Sequence, residues 1–154
     1  MGQVLLALAL FLATHVALAE RPLRGVLVRV LGEKPYLWVY GALAILQLLW
    51  IGWALEAAPA LAYWHPPSWT RAVPLLVMPV ALLLLVCGFT QNNPTATMAP
   101  ARVARREVVG VLAITRNPVM WGLGLWSLAH LAVVSDAAQA LRFLCFAVLA
   151  LAFL

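Results

Sequence analysis

The sequence predicts an all-α protein: a polytopic bundle of transmembrane helices with about five spans. Of the 154 residues, 66% are hydrophobic and only 10% are charged, whereas about a quarter of the residues in a soluble domain carry charge. About 20 apolar residues cross the hydrocarbon core of a bilayer as a helix. Apolar runs close to that length occupy 2–19, 36–58, 72–90, 118–134 and 138–154.

These runs leave no room for a soluble domain, so residues 1–154 are expected to form a single transmembrane domain with the lipid bilayer as its surroundings. The formal net charge is +5. Most basic residues lie in short loops between the runs, where they report membrane topology, and no nucleic-acid partner is expected. Cys87 and Cys145 both lie in apolar runs, and their spacing indicates neither a disulfide framework nor a metal-binding pair.

The first run resembles a secretory signal, because Ala17-Leu18-Ala19 precedes Glu20 in the pattern of a cleavage site. However, no Lys or Arg precedes the run, and cleavage would place both basic loops outside the cell, against the positive-inside rule. We therefore expect the run to be retained, with a cleaved signal as the alternative. The N-terminus is then outside, and two basic groups are cytoplasmic: Arg21, Arg24, Arg29 and Lys34, and Arg102, Arg105, Arg106 and Arg116.

Shorter features refine this organisation. The segment 22–31 has apolar residues at helical spacing among arginines, which predicts a short interfacial helix ended by Gly32. Gln47, near the middle of the second span, should find a hydrogen-bond partner inside the bundle. Pro74 and Pro79 are expected to bend the third span.

Three further expectations concern loops and the last run. Trp64 and Trp69 are expected to hold the 57–69 loop at the membrane surface. Residues 91–95 form a polar turn signal. The last run contains Arg142 near its outer end, and either the span is short or the chain ends before a native tail.

Two histidines within the spans are the candidate functional residues, because an imidazole there must face protein, a water-filled cavity or a ligand. They are His15 in the first span and His130 in the fourth, with Trp126 and Ser127 on the same helix face as His130. No acid accompanies either histidine within the hydrocarbon region, which argues against a proton relay and against a Ser127–His130 nucleophile. Each histidine is then either a hydrogen-bond partner of a neighbouring helix or an axial ligand of haem iron.

In the haem interpretation, aromatic residues such as Trp126 form the apolar wall and an arginine pairs with a propionate. One geometric estimate opposes a shared iron. At ~1.5 Å rise per residue, His15 lies roughly 7 Å and His130 roughly 18 Å from the cytoplasmic ends of their spans. A single axial histidine, or two separate roles, therefore stays open.

Four stretches together resemble the NnrU family of bacterial inner-membrane proteins. They are Phe11-Leu12-Ala13-Thr14-His15, Asn93-Pro94-Thr95-Ala96, Thr115-Arg116-Asn117-Pro118-Val119-Met120-Trp121-Gly122 and Leu125-Trp126-Ser127-Leu128-Ala129-His130-Leu131. The resemblance implies a link to nitric oxide and nitrite reduction (denitrification) and a relationship to 15-cis-zeta-carotene isomerase, a membrane haem protein.

Carried over by this resemblance, His15 and His130 would ligate haem b, with Arg116 and Trp126 as further cofactor-binding residues. A small apolar or redox ligand would be a further partner. The family usually has histidine where this chain has Asn117.

Two alternatives have different chemistry. The Arg-x-Pro element, followed by Met120 and Gly122, is also similar to isoprenylcysteine carboxyl methyltransferases, which use S-adenosylmethionine. The other alternative is a non-catalytic accessory protein in which the histidines only join helices. Whether the chain is an enzyme is left open by these patterns.

Overall fold

The computed structural model describes residues 1–90 and 110–154. Within this part of the chain there are six α-helices, namely α1 (Gly2–Ala19), α2 (Arg21–Leu31), α3 (Glu33–Glu56), α4 (Ala72–Thr90), α5 (Pro118–Leu131) and α6 (Ala137–Ala152). Short 3-10 helices, Ser68–Arg71 and Gly110–Ala113, precede α4 and α5. The helices belong to two compact units, Met1–Leu61 and Ala62–Leu154, and each unit is described by itself.

The all-α class and the membrane character are confirmed, whereas a count of five spans is not. Three segments are long and apolar enough to cross a bilayer: Gly2–Ala19, Glu33–Glu56 and Ser68–Thr90. Ala137–Ala152 is a shorter apolar helix. With 14 residues in α5 and 16 in α6, these two helices are about 21 and 24 Å long, less than the ~30 Å of a hydrocarbon core.

The first unit consists of α1, α2 and α3, with α1 packed on α3. Val4, Ala7, Leu8 and Phe11 are buried along one face of α1, which is the i, i+3, i+4, i+7 stripe of a packed helix. Across the interface, the Thr14 hydroxyl lies 3.0 Å from the buried Gln47 Oε1. The prediction that Gln47 finds a partner in the bundle is confirmed.

A short helix is also found where the interfacial helix was predicted. No residue of α2 is buried, as expected of a helix that lies along a membrane surface. Gly32 ends it with φ 87°, a left-handed conformation that glycine adopts without a steric penalty. Helix α3 begins directly after it at Glu33, three residues before the predicted start, and the acidic side chain suits the first turn.

In the second unit, α5 packs against both α4 and α6. The approach to α4 is close at two glycines, Gly88 and Gly122. A Cβ on Gly122 would lie 2.7 Å from Leu85 Cγ and 2.8 Å from the Ala81 carbonyl oxygen. Only a residue without a side chain fits at such a distance.

The two prolines of α4 differ in their effect. Pro74 stands in the first turn, where its missing N–H has no helical partner to lose. Pro79 lies inside the helix, which continues to Thr90. Its ring removes the helical hydrogen bond to the carbonyl of residue 75.

A short extended segment packs on the loop between α5 and α6. Ala62 pairs with Asp136 in an antiparallel bridge, and the Tyr63 N–H donates to the Ser135 carbonyl. The Trp64 indole donates to the Val134 carbonyl over 2.7 Å. Trp64 is thus fixed to this loop, whereas Trp69, at 69% exposure, remains free to lie at a membrane surface.

Some predictions fall outside the described residues. They are the polar turn 91–95, the cytoplasmic arginines Arg102, Arg105 and Arg106, and the stretch Asn93-Pro94-Thr95-Ala96. The two cysteines are inside the described part and form no disulfide there: Cys145 is buried and Cys87 is half-buried.

Candidate functional site

His130 stands in the last turn of α5, where a backbone carbonyl fixes the tautomer of its neutral ring. Its Nδ1 lies 2.8 Å from the Trp126 carbonyl oxygen, four residues earlier. A carbonyl only accepts, so the Nδ1–H donates to it. In the neutral ring the lone pair is then on Nε2, and Nε2 hydrogen-bonds no residue in 1–90 or 110–154.

Two aromatic rings contact this imidazole, and a third packs against one of them. The ring of Trp126 has its centroid 5.2 Å from that of His130, and Phe143 stacks on His130 at 5.1 Å. Trp126 also meets Phe143 and Phe146 edge-on, at 5.2 and 5.8 Å. We call these four side chains, Trp126, His130, Phe143 and Phe146, the His130 cluster. It is an apolar wall with one imidazole in it.

His15 has the same arrangement in the first unit. Its Nδ1–H donates to the Phe11 carbonyl, again four residues earlier, over 2.9 Å. The Phe11 ring lies 4.0 Å away and the Tyr40 ring, on α3, 5.5 Å away. Its Nε2 likewise has no hydrogen-bond partner among the described residues.

The histidines therefore do not hydrogen-bond neighbouring helices within the described part of the chain. Each uses a carbonyl of its own helix instead. This differs from the expectation that an imidazole in a bundle serves as an interhelical hydrogen-bond partner. Two hydrogen bonds do cross between α1 and α3 in the first unit. The Thr14 hydroxyl lies 3.0 Å from Gln47 Oε1, and the Tyr36 hydroxyl donates to the Leu18 carbonyl over 2.7 Å.

Ser127 is fully buried, and its hydroxyl donates to the Leu123 carbonyl over 2.7 Å. This hydrogen bond directs the hydroxyl along its own helix and leaves the imidazole of His130 bonded to Trp126. The geometry gives no support to a Ser127–His130 nucleophile, in which base and hydroxyl must be within hydrogen-bond reach.

Of the four predicted site residues, the structure brings Trp126 and His130 together and places Arg116 elsewhere. Arg116 is exposed in the bend just before α5, whereas His130 is in the last turn of that helix. His130 follows Arg116 by 14 positions in the sequence, which corresponds to about 20 Å of helix. His15 belongs to the other unit.

Asn117 joins the start of one helix to the end of the next. Its side-chain amide donates to the Phe153 carbonyl over 2.8 Å. It thereby connects the start of α5 to the end of α6, and Pro118 occupies the first helical position as predicted.

Sequence patterns missed Phe143 and gave Arg142 no role. The guanidinium carbon of Arg142 lies 4.4 Å from the centre of the Phe143 ring, and that ring stacks on His130. The available signal was the arginine within an apolar run. An intramembrane cation is costly and therefore marks a functional position by default.

The sequence profile of the NnrU protein family matches residues 3–154. The chain belongs to the NnrU family. No curated protein and no solved structure gives a significant match to it. The NnrU match includes both histidines and the whole of the His130 cluster.

Proposed function

We propose that this NnrU protein binds haem b through His15, His130 or both, and serves redox or nitrogen-oxide metabolism. One observation carries the proposal: both imidazoles donate their Nδ1–H to a backbone carbonyl and keep the Nε2 lone pair uncommitted. Metal-ligating histidines are commonly oriented in this way, with the other ring nitrogen hydrogen-bonded to a carbonyl. The proposal also draws on the family resemblance, which implies haem at these two positions.

Haem suits such residues better than a bare metal ion. Among the described residues there is no group of three or more His, Cys, Asp or Glu side chains that could hold an ion. A porphyrin supplies four nitrogens itself, so the protein needs to add only one or two axial imidazoles. Solitary histidines with apolar neighbours fit that requirement.

In this proposal histidines bind the haem and aromatic side chains shield it. The imidazole Nε2 atoms would bind the iron, and the backbone carbonyls of Phe11 and Trp126 fix their orientation. Trp126, Phe143 and Phe146 form an apolar wall on the side of His130. Haem held through one imidazole would supply one-electron transfer and binding of small diatomic ligands, whereas haem held through both would supply electron transfer. Arg116 remains a proposed partner for a propionate.

The test is an absorption spectrum of protein purified from cells supplied with a haem precursor. The wild-type protein should have a Soret band, which should be lost or shifted in His130→Ala and in His15→Ala. His65→Ala is the matched control, because His65 is exposed in a loop and should leave the spectrum unchanged. Added imidazole should restore the band in an Ala variant that has lost only its axial ligand.

A colourless preparation from haem-replete cells would reject the proposal. Each alternative predicts a different result in its own measurement. If the His15→Ala, His130→Ala double variant is less stable but keeps the physiological phenotype, the protein is a non-catalytic accessory protein. Heat released on titration with S-adenosylmethionine would instead indicate a methyltransferase-like enzyme.

We propose further that the protein lies in the bacterial inner membrane with its N-terminus outside. The basic residues of α2, including Arg21, Arg24 and Arg29, support this orientation through the positive-inside rule. Single cysteines introduced at Ser68 and at Lys34, in a variant without Cys87 and Cys145, would test it in intact cells. A membrane-impermeant thiol reagent should label the first and not the second.

A further inference from the structure

Arg142 lies in the second turn of the apolar helix α6 without a counter-charge. It makes no ion pair and no hydrogen bond with any residue in 1–90 or 110–154. Its Nε atom is buried and has no hydrogen-bond acceptor. A buried donor of a charged group without an acceptor is costly, and an uncompensated cation in an apolar helix is more so.

The contact that Arg142 does make leaves its hydrogen-bonding edges available. The guanidinium carbon is 4.4 Å from the centre of the Phe143 ring, a cation–π contact that uses the flat face of the group. The N–H donors of a guanidinium lie in its plane and point outward, so the ring below its face does not occupy them. Phe143 is itself held by Trp126 and His130. The cation is therefore held in place with its donors uncommitted.

A second unpartnered atom lies one turn away on the same helix. Gln139 Oε1 is buried and also has no hydrogen-bond partner within the described residues. Residues three apart on a helix lie on one face. Because Oε1 only accepts hydrogen bonds, it does not itself bind an anion. This face of α6 thus presents a cation with free donors beside the aromatic rings of the His130 cluster.

We propose that Arg142 forms a binding site for the anionic head of an amphiphile. Carboxylate or phosphate oxygens would accept hydrogen bonds from the guanidinium, which matches such oxygens in a fork. The apolar body of the amphiphile would lie along α6 and the rings next to Arg142. Two sources have this chemistry: the phosphate of an anionic phospholipid and the carboxylates of the haem proposed above. Only the second source depends on that proposal.

The experiment compares the full-length protein with Arg142→Met, which keeps the length of the side chain and removes the charge. Arg71→Met is the matched control, because Arg71 is an exposed arginine in the 3-10 helix before α4, in the same unit. Binding of dioctanoyl phosphatidylglycerol is measured by native mass spectrometry, with dioctanoylglycerol as the uncharged counterpart. Haem content is measured on the same preparations.

Arg142→Met should weaken phosphatidylglycerol binding at least tenfold or lower the haem content severalfold, and Arg71→Met should change neither. A loss of lipid binding alone identifies a phospholipid phosphate, and a loss of haem alone identifies a haem carboxylate. If neither changes, the site does not exist, and Arg142 only extends its head to the membrane surface.

Two further variants protect the test against misfolding. Arg142→Lys keeps the charge without the fork and should retain part of the binding, whereas Gln139→Leu, which removes a neighbouring acceptor and leaves the charge intact, should leave anion binding unchanged. Should the wild-type protein contain no haem, the lipid measurement still decides the anion site. Failure of the haem proposal and failure of this one are thus distinguishable.

Discussion

The ring of His130 stacks on the ring of Phe143, with the centroids 5.1 Å apart and the planes 22° from parallel. The two residues lie on consecutive helices, α5 and α6. His130, the candidate iron ligand, is thus packed directly against a buried core residue, since Phe143 is only 4% exposed. Stability and ligand binding in this unit therefore depend on some of the same contacts.

Replacing Phe143 by Ala should lower the free energy of unfolding by about 2 kcal/mol. Such a truncation costs ~3–5 kcal/mol in water-soluble cores, and the cost is smaller in a bilayer because lipid chains are as apolar as the side chain. Leu144→Ala is the control, because Leu144 is 49% exposed. The measurement is unfolding by SDS in mixed micelles, and equal effects of the two substitutions would contradict the packing described here.

Replacing Gly122 by Ala should destabilise the second unit by about 1–3 kcal/mol, the usual cost of overpacking. The added methyl would lie within 3 Å of Leu85 and of the Ala81 carbonyl. Gly52→Ala is the matched control in α3, since nothing lies within 4 Å of its Cβ position. That variant should be neutral or gain up to ~1 kcal/mol from helix propensity. Thermal unfolding in detergent compares the two, and a harmless Gly122→Ala would exclude the close contact of α4 with α5.

The Thr14–Gln47 hydrogen bond should appear as a coupling energy in a double-mutant cycle. Thr14→Val and Gln47→Leu each remove one partner, and the coupling should be roughly 0.6 kcal/mol and at most about 1.7 kcal/mol, the range found between membrane helices. Thr90→Val combined with Gln47→Leu is the control, because the Thr90 hydroxyl donates to the Val86 carbonyl of its own helix. Zero coupling in the first cycle would mean that the Thr14 hydroxyl, which also lies 2.8 Å from the Leu10 carbonyl oxygen of its own helix, donates there and not to Gln47.

Replacing Trp64 by Phe should loosen the loop between α5 and α6. The substitution removes the indole donor to the Val134 carbonyl and should cost about 1 kcal/mol, the net value of a typical hydrogen bond. Hydrogen exchange of the Tyr63 amide, which donates to Ser135, is the most direct measurement. The same change at exposed Trp69 should leave that exchange rate unaltered, and a matching acceleration there would argue for a general effect of losing a tryptophan.

Much of the helical framework follows from local sequence. The helices α1 and α4 begin and end where the apolar runs do, and Gly32 separates α2 from α3. The predicted end of the fourth apolar run does not coincide with the end of α5, and the cause is tertiary. The apolar run continues to residue 134, but the helix ends at Leu131 because residues 134–136 pair with the segment 62–64. Hydropathy alone contains no information about that pairing.

The candidate site divides in the same way. The sequence alone determined that the chain is a membrane protein of the NnrU family, and that His15, His130 and Trp126 stand on apolar helices, because hydropathy, helical spacing and motif order are properties of one segment at a time. Only the tertiary structure decided that Phe143 stacks on His130 and that Gly122 meets α4. These contacts depend on which faces of separate helices meet, and packing between side chains distant in sequence determines that choice.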